Sequence, residues 1–566
     1  MTDYRLLNIR KKDRELALER ERVLNTNRDR AVDRLLEYQW PAALIQSFPG
    51  QDLYFLMNTV GHDDFVPVLS LASSDQWEHI LDMEVWQDDT ISILRMTHIL
   101  DLLFQADPDR LVRWIVTEKP GFIEYYFSGN MEIRIREHDE SASDFSDDFM
   151  TLDDKFYFRF PNAPEEPESE LEKEMALSKN TILAMLNKIA DMDLSVVHGL
   201  LQETSYLVPL EIEEEELRLK TTRLAEHGFL PPHEAVGIYQ VPGRFKPRKR
   251  PAGKKIHTYD PDIGLPPQYP VHLMDGENLF TRSLAQIESG LYIELQAEFA
   301  SLVNKVISAD RVRVREKEDL ENAIEKTSSC LSVGIETIDA NDPAGTVRRY
   351  FLEDIFRKGS AEAARLKRRV EAWYKKSFIN VNDLPLSFFG EKWLGIAGGL
   401  MLKRPLYYDN YETGVLYRNF KSLREIRSTE REVEKLLETD RIIKAMEPDT
   451  GEFKDVMLTY KTLLLTMWAR QRLNLDSSLK AIVMDSFKPF YTSLFAEDGS
   501  GRIDRVKRDD FIGWLAEIKG AEEQEAPSLT AEVAEELFDE LESEYGEVKV
   551  EDLEPKFAPH FLLKEE

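Results

Sequence analysis

Along most of the chain, apolar residues recur at helical spacing, and that pattern predicts a predominantly α-helical protein. It is densest over residues 52–89, DLYFLMNTVGHDDFVPVLSLASSDQWEHILDMEVWQDD, which reads as short helices joined by tight turns. Pro49 and Gly50 open the first of these, and Gly61 closes it as a glycine after the last periodic residue should. Ser73-Ser74-Asp75 then offers side-chain oxygens to cap the next. Farther on, Ile93, Met96, Leu100, Leu103 and Phe104 line one helix face.

In the second half, Leu284, Ile287, Leu291, Leu295, Phe299, Leu302 and Val306 predict one long helix. Leu320, Ile324, Leu331, Ile335 and Ile338 predict another. A third starts at Asn341-Asp342-Pro343, where proline fits because its missing N–H has no intrahelical partner, and carries Val347, Phe351 and Ile355. Helices are also expected over 428–446 and 456–473.

Two stretches break the pattern. Met131, Ile133 and Ile135 alternate with charged residues, and Lys155-Phe156-Tyr157-Phe158-Arg159-Phe160 is rich in β-formers. Together they predict one small antiparallel β-hairpin. An Asp-x-x-Val pattern at Asp109/Val112 and Asp193/Val196 is spaced like two units of a two-helix repeat of about 42–45 residues. The fold expected is therefore mainly α, a multi-domain helical stack of solenoid-like character with one β-hairpin insertion.

Composition shifts suggest the divisions. Residues 1–40 form a charged N-terminal helix that breaks near Asn25–Asn27, 41–160 a helical stack with the hairpin, and 177–240 a second helical segment. Residues 241–275 form a basic, Pro/Gly-rich linker, 276–520 a C-terminal helical domain, and 521–566 an acidic tail in which Val533, Leu537 and Leu541 mark an amphipathic helix.

Charge narrows the function. With 73 basic and 105 acidic residues the net charge is −32, which argues against wholesale binding of nucleic acid or anionic lipid. One cysteine, Cys330, leaves no disulfide framework or thiolate metal cage and fits a reducing cytoplasm. The charged N-terminus does not read as a secretory signal, and no apolar run reaches membrane-spanning length.

Candidate chemistry is sparse. Residues 244–255 hold Arg244, Lys246, Arg248, Lys249, Arg250, Lys254 and Lys255 without an acid. Such a segment attracts a polyanion or an acidic protein, or docks on the chain's own acidic surface. Residues 498–504, DGSGRID, resemble the middle of a calcium loop. Aligned on Gly501, the first and last ligand positions hold Ala496 and Lys507, which favours a plain inter-helix turn. Gly395-Ile396-Ala397-Gly398-Gly399 lacks the Lys-Ser/Thr of a phosphate loop and reads as close helix packing. His62 beside Asp63 and Asp64 is a poor metal motif, because adjacent residues rarely converge on one ion. No catalytic, metal or cofactor residue is assigned. Asp82, Trp86 and Asp89 remain, with Arg244, Arg248, Lys249 and Arg250, as candidate contacts to a partner protein.

Three segments, residues 52–89, TLDDKFYFRFP and RLAEHGFLPPHEAVGIY, resemble a bacterial family known only as a domain of unknown function, and the likeness runs over most of the chain. LSLASSDQWEHILDM is also similar to helical repeats in the cytosolic domain of bacterial magnesium transporters, which implies a helical stack and nothing about transport. Together these observations set an expectation of a cytoplasmic interaction or scaffold protein. The alternatives are an enzyme built from scattered carboxylates, Tyr and His, or a regulator touching nucleic acid through the basic linker.

Overall fold

The structure is a computed structural model that describes residues 12, 15–87, 89–164, 166–240, 245–251, 269–274, 278–314, 317–449, 458–496, 500–519 and 527–565. The protein is mainly α-helical, with only short strand pairs between helices. It divides into two compact units. The first comprises residues 1–328 and 342–355, the second 329–341 and 356–566. No helix among the described residues is long and apolar enough to cross a membrane.

The first unit begins with the expected string of short helices. α1 (Gly50–Val60) ends at Gly61, whose φ of +116° is a conformation that side-chain-bearing residues resist. α2 (His62–Leu69) follows at once. α3 (Ser74–Glu84) starts with a capping box, in which the Ser73 hydroxyl accepts from the Gln76 N–H while the Gln76 side chain accepts from the Ser73 N–H. The Gln76 amide also donates to the Ile45 and Phe48 carbonyls, so one residue caps its helix and ties it to the preceding turn. Trp77, fully buried beside it, donates from its indole to the Leu69 carbonyl at 2.9 Å. Truncating such a side chain to Ala costs about 3–5 kcal/mol.

Three helices come next: α4 (Ile93–Ala106), α5 (Pro108–Glu118) and α6 (Pro120–Asn130). Asp109 does not cap α5. Asp107 does, accepting from the Arg110 N–H, and Asp109 sits in the first turn, where its charge suits the helix dipole. Asp193 does cap its helix, accepting from the Ser195 N–H.

The hairpin forms with an addition. β1 (Glu132–Ile135) pairs antiparallel with β3 (Phe156–Arg159), setting Ile133 opposite Phe158. The intervening loop contributes β2 (Met150–Thr151) to the other edge of β3, making three strands in the order β1-β3-β2. β3 is the centre strand because its Phe156, Tyr157 and Phe158 are all buried.

α7 (Glu170–Met192), α8 (Leu194–Tyr206) and α9 (Pro209–Glu226) complete the part of this unit that carries the candidate site. Two predicted helices are each divided. The run from Leu284 to Val306 is split into Leu279–Leu284 and Ser289–Asp310, with the second restarting at the poor helix formers Ser289 and Gly290. The helix opening at Pro343 stops at Arg349. Tyr350 turns extended and forms a β-bridge with Lys249, and a new helix begins at Leu352.

The second unit packs α10 (Gly390–Met401), α11 (Leu423–Met446), α12 (Tyr460–Arg472) and α13 (Pro527–Tyr545) around a core rich in aromatic rings. The glycines of 395–399 lie inside α10, where a Cβ on Gly395 would strike the Tyr408 ring and one on Gly399 the Tyr417 ring. They are packing glycines, as the sequence suggests. Val533, Leu537 and Leu541 in the acidic tail are buried in this core as one face of α13. Leu563–Lys564 adds a strand parallel to Ile482–Val483.

Candidate functional site

The candidate site lies along α9, which meets α3 and α6 over its length. Glu78 and Asp82 are four residues apart on α3 and so share a face. On α9, Glu216, Lys220 and Arg223 recur at helical spacing and meet that face. Arg223 donates from Nε to Asp82 Oδ2 at 2.7 Å and from Nη2 to Oδ1 at 2.8 Å, a bidentate pair. Its Nη1 lies 3.2 Å from Glu78 Oε1, which Lys119 also approaches at 2.5 Å. Lys220 places its ammonium 4.4 Å from the centre of the Trp86 ring.

Glu78, Asp82, Trp86, Lys119 and Arg223 border a narrow recess floored by Leu81, Val85 and Phe122. Beside them, burial pushes the Glu216 carboxyl above its ordinary range, while Lys119 and Arg223 pull it down. Asp82 and Glu78 push the same way as burial. The recess thus holds both signs of charge already engaged with each other, and its free room is about that of one water molecule. Its physical effect is to clamp α9 against α3.

That clamp positions what precedes it. At the turn from α8 into α9, Tyr206, Val208 and Leu210 are 74%, 52% and 71% exposed. Pro209 starts α9 between them, and the acidic run Glu211–Glu216 follows directly. Large apolar side chains this exposed and this close together are what a docking surface looks like. Met192 and Leu194, at the other end of α8, are exposed as well.

The sequence-derived candidates fall in different places. Asp82 and Trp86 come together at the recess and are both buried there. Asp89 is exposed, in the turn between the strand pair Trp86–Gln87 and Thr90–Ile91. Arg244 lies outside the described residues. Arg248 donates to the fully buried Asp354 from its backbone N–H (2.7 Å), Nε (2.9 Å) and Nη2 (3.0 Å). Arg250 grips Glu298 at 2.6 and 2.7 Å, and Lys249 is exposed at the bridge to Tyr350. Two arginines of the basic insert therefore dock on the chain's own acids. Sequence reasoning missed Tyr206, Val208 and Leu210; the signal was a cluster of large apolar residues at a Pro-started helix immediately before an acidic run.

Fold and site together define a helical protein with a charge-clamped helix presenting an apolar corner. The chain belongs to a family of unknown function, DUF6178, whose model matches residues 8–564. No curated protein and no solved structure matches it.

Proposed function

We propose that this protein acts by binding another protein, as an interaction or scaffold component, and that the α8–α9 corner is its docking surface. The observation that carries the reading is the exposure of Tyr206, Val208 and Leu210 beside the acidic run of α9. An apolar centre with an acidic rim suits a partner surface that is apolar with basic surroundings. The enzyme alternative predicts a deep pocket around a raised carboxylate. Glu216 is raised, but the recess beside it has little room for a substrate. The reading sets this work in the cytoplasm, which the single cysteine, Cys330, supports.

The test is a photoreactive amino acid placed at Val208 in the producing cells. One discrete adduct with a second protein is expected on irradiation. No adduct, or the same adducts from a probe at the exposed His138, would contradict the proposal.

A further inference from the structure

His62 opens α2 and His98 lies within α4, yet their rings stack with centroids 5.5 Å apart. His62 Nδ1 lies 3.3 Å from His98 Nε2. The other nitrogen of His62 is already committed. Asn58 donates from Nδ2 to the Tyr54 carbonyl at 3.1 Å, which turns its Oδ1 toward His62 Nε2, 3.2 Å away. His62 therefore carries its proton on Nε2 and presents a lone pair from Nδ1 toward His98.

We propose that His62 and His98 form a two-imidazole binding site for a borderline divalent transition-metal ion such as zinc, with water completing the coordination. Zinc–imidazole bonds are about 2.0–2.1 Å, so two tetrahedral ligands sit about 3.3–3.4 Å apart. The observed nitrogen separation matches that edge. A ligating histidine ordinarily donates its second N–H to an oxygen that fixes its orientation, and Asn58 Oδ1 is that oxygen here. In the metal-bound form His98 carries its proton on Nδ1, leaving Nε2 to the ion.

Glu84 and Asp63 place negative charge near His62, which offsets an incoming cation. No third His, Cys, Asp or Glu joins them as a ligand group among the described residues, so the ion stays open to solvent. This site is independent of the docking corner.

Isothermal titration of the untagged full-length chain with zinc chloride near neutral pH tests it. The expected result is one binding event per chain, weakened about tenfold or more by His98→Gln and also weakened by Asn58→Ala. His98 is exposed, so its variant keeps the fold, and His138→Gln, exposed elsewhere, leaves binding unchanged. Absence of binding by the wild-type chain, or equal binding by His98→Gln, would overturn the proposal.

Discussion

Arg223 and Asp82, 141 residues apart in the chain, meet in a two-point fork that fixes α9 on α3. Asp82 is almost fully buried, while Arg223 retains some solvent access. Removing the cation leaves a carboxylate in a low-dielectric site with weaker compensation, which is more costly than never having had the pair. Arg223→Ala is expected to destabilise the first unit by about 3 kcal/mol, read as a lower urea midpoint. Replacing both residues by Leu should recover much of the loss. Equal losses in the single and double variants would show that the pair itself is not what matters.

His79 gives the first unit a pH dependence. It packs between Gly50, the Tyr54 ring and the His227 ring, and its Nε2 has no hydrogen-bond partner among the described residues. Burial, assisted by the nearby His227, holds its pKa down at about 3 against an ordinary 6.5. The unfolded chain therefore binds one more proton than the folded chain between those values. Stability from this group is complete above the ordinary imidazole pKa and is lost as pH falls toward 3. Between pH 8 and pH 5 the loss is about 2 kcal/mol. In His79→Phe that part of the acid sensitivity should disappear, as measured by urea unfolding at both pH values. An unchanged difference between the two pH values would refute the assignment.

Arg248 pins the basic segment to the helix that begins at Leu352, and Arg250 pins it to the helix Ser289–Asp310. Arg248→Ala should loosen it, so that trypsin cuts after Lys249 faster than in the wild type. Lys249→Ala, an exposed change, should alter stability by no more than about 0.5 kcal/mol. The same geometry predicts that reversing both arginines to Glu damages the fold before it reports on any polyanion, because Asp354 and Glu298 would then face like charge. Wild-type thermal stability in that double variant would show that the docking is dispensable.

Local signals in the sequence were strong enough to show most helices. The Ser73 cap, the turn at Gly61, the break near Asn25–Asn27 and the packing glycines of α10 all act within a few residues of themselves. The pairing of β1 with β3 was legible for the same reason, since alternation fixes which face is buried. What the sequence hid depends on distant partners. Tyr350 falls inside the helix expected from Val347, Phe351 and Ile355, yet it is extended there and bridges to Lys249, 101 residues earlier. Asp82 reads as an exposed acid until Arg223 is brought to it, and His62 reads as a lone histidine until α4 supplies His98. β2 was hidden because two residues are too few to show a period.

The docking account is tested most directly by comparing partner retention between the wild-type chain and one carrying Tyr206→Ser, Val208→Ser and Leu210→Ser. All three side chains are exposed, so the variant should keep its helical circular dichroism and urea midpoint. Both chains would be purified from their own cells with nuclease present and weighed for bound protein. The account predicts a stoichiometric partner on the wild type that also cross-links through position 208 and is lost from the folded variant. The same partner held equally by both chains, or none held by the wild type, would contradict it.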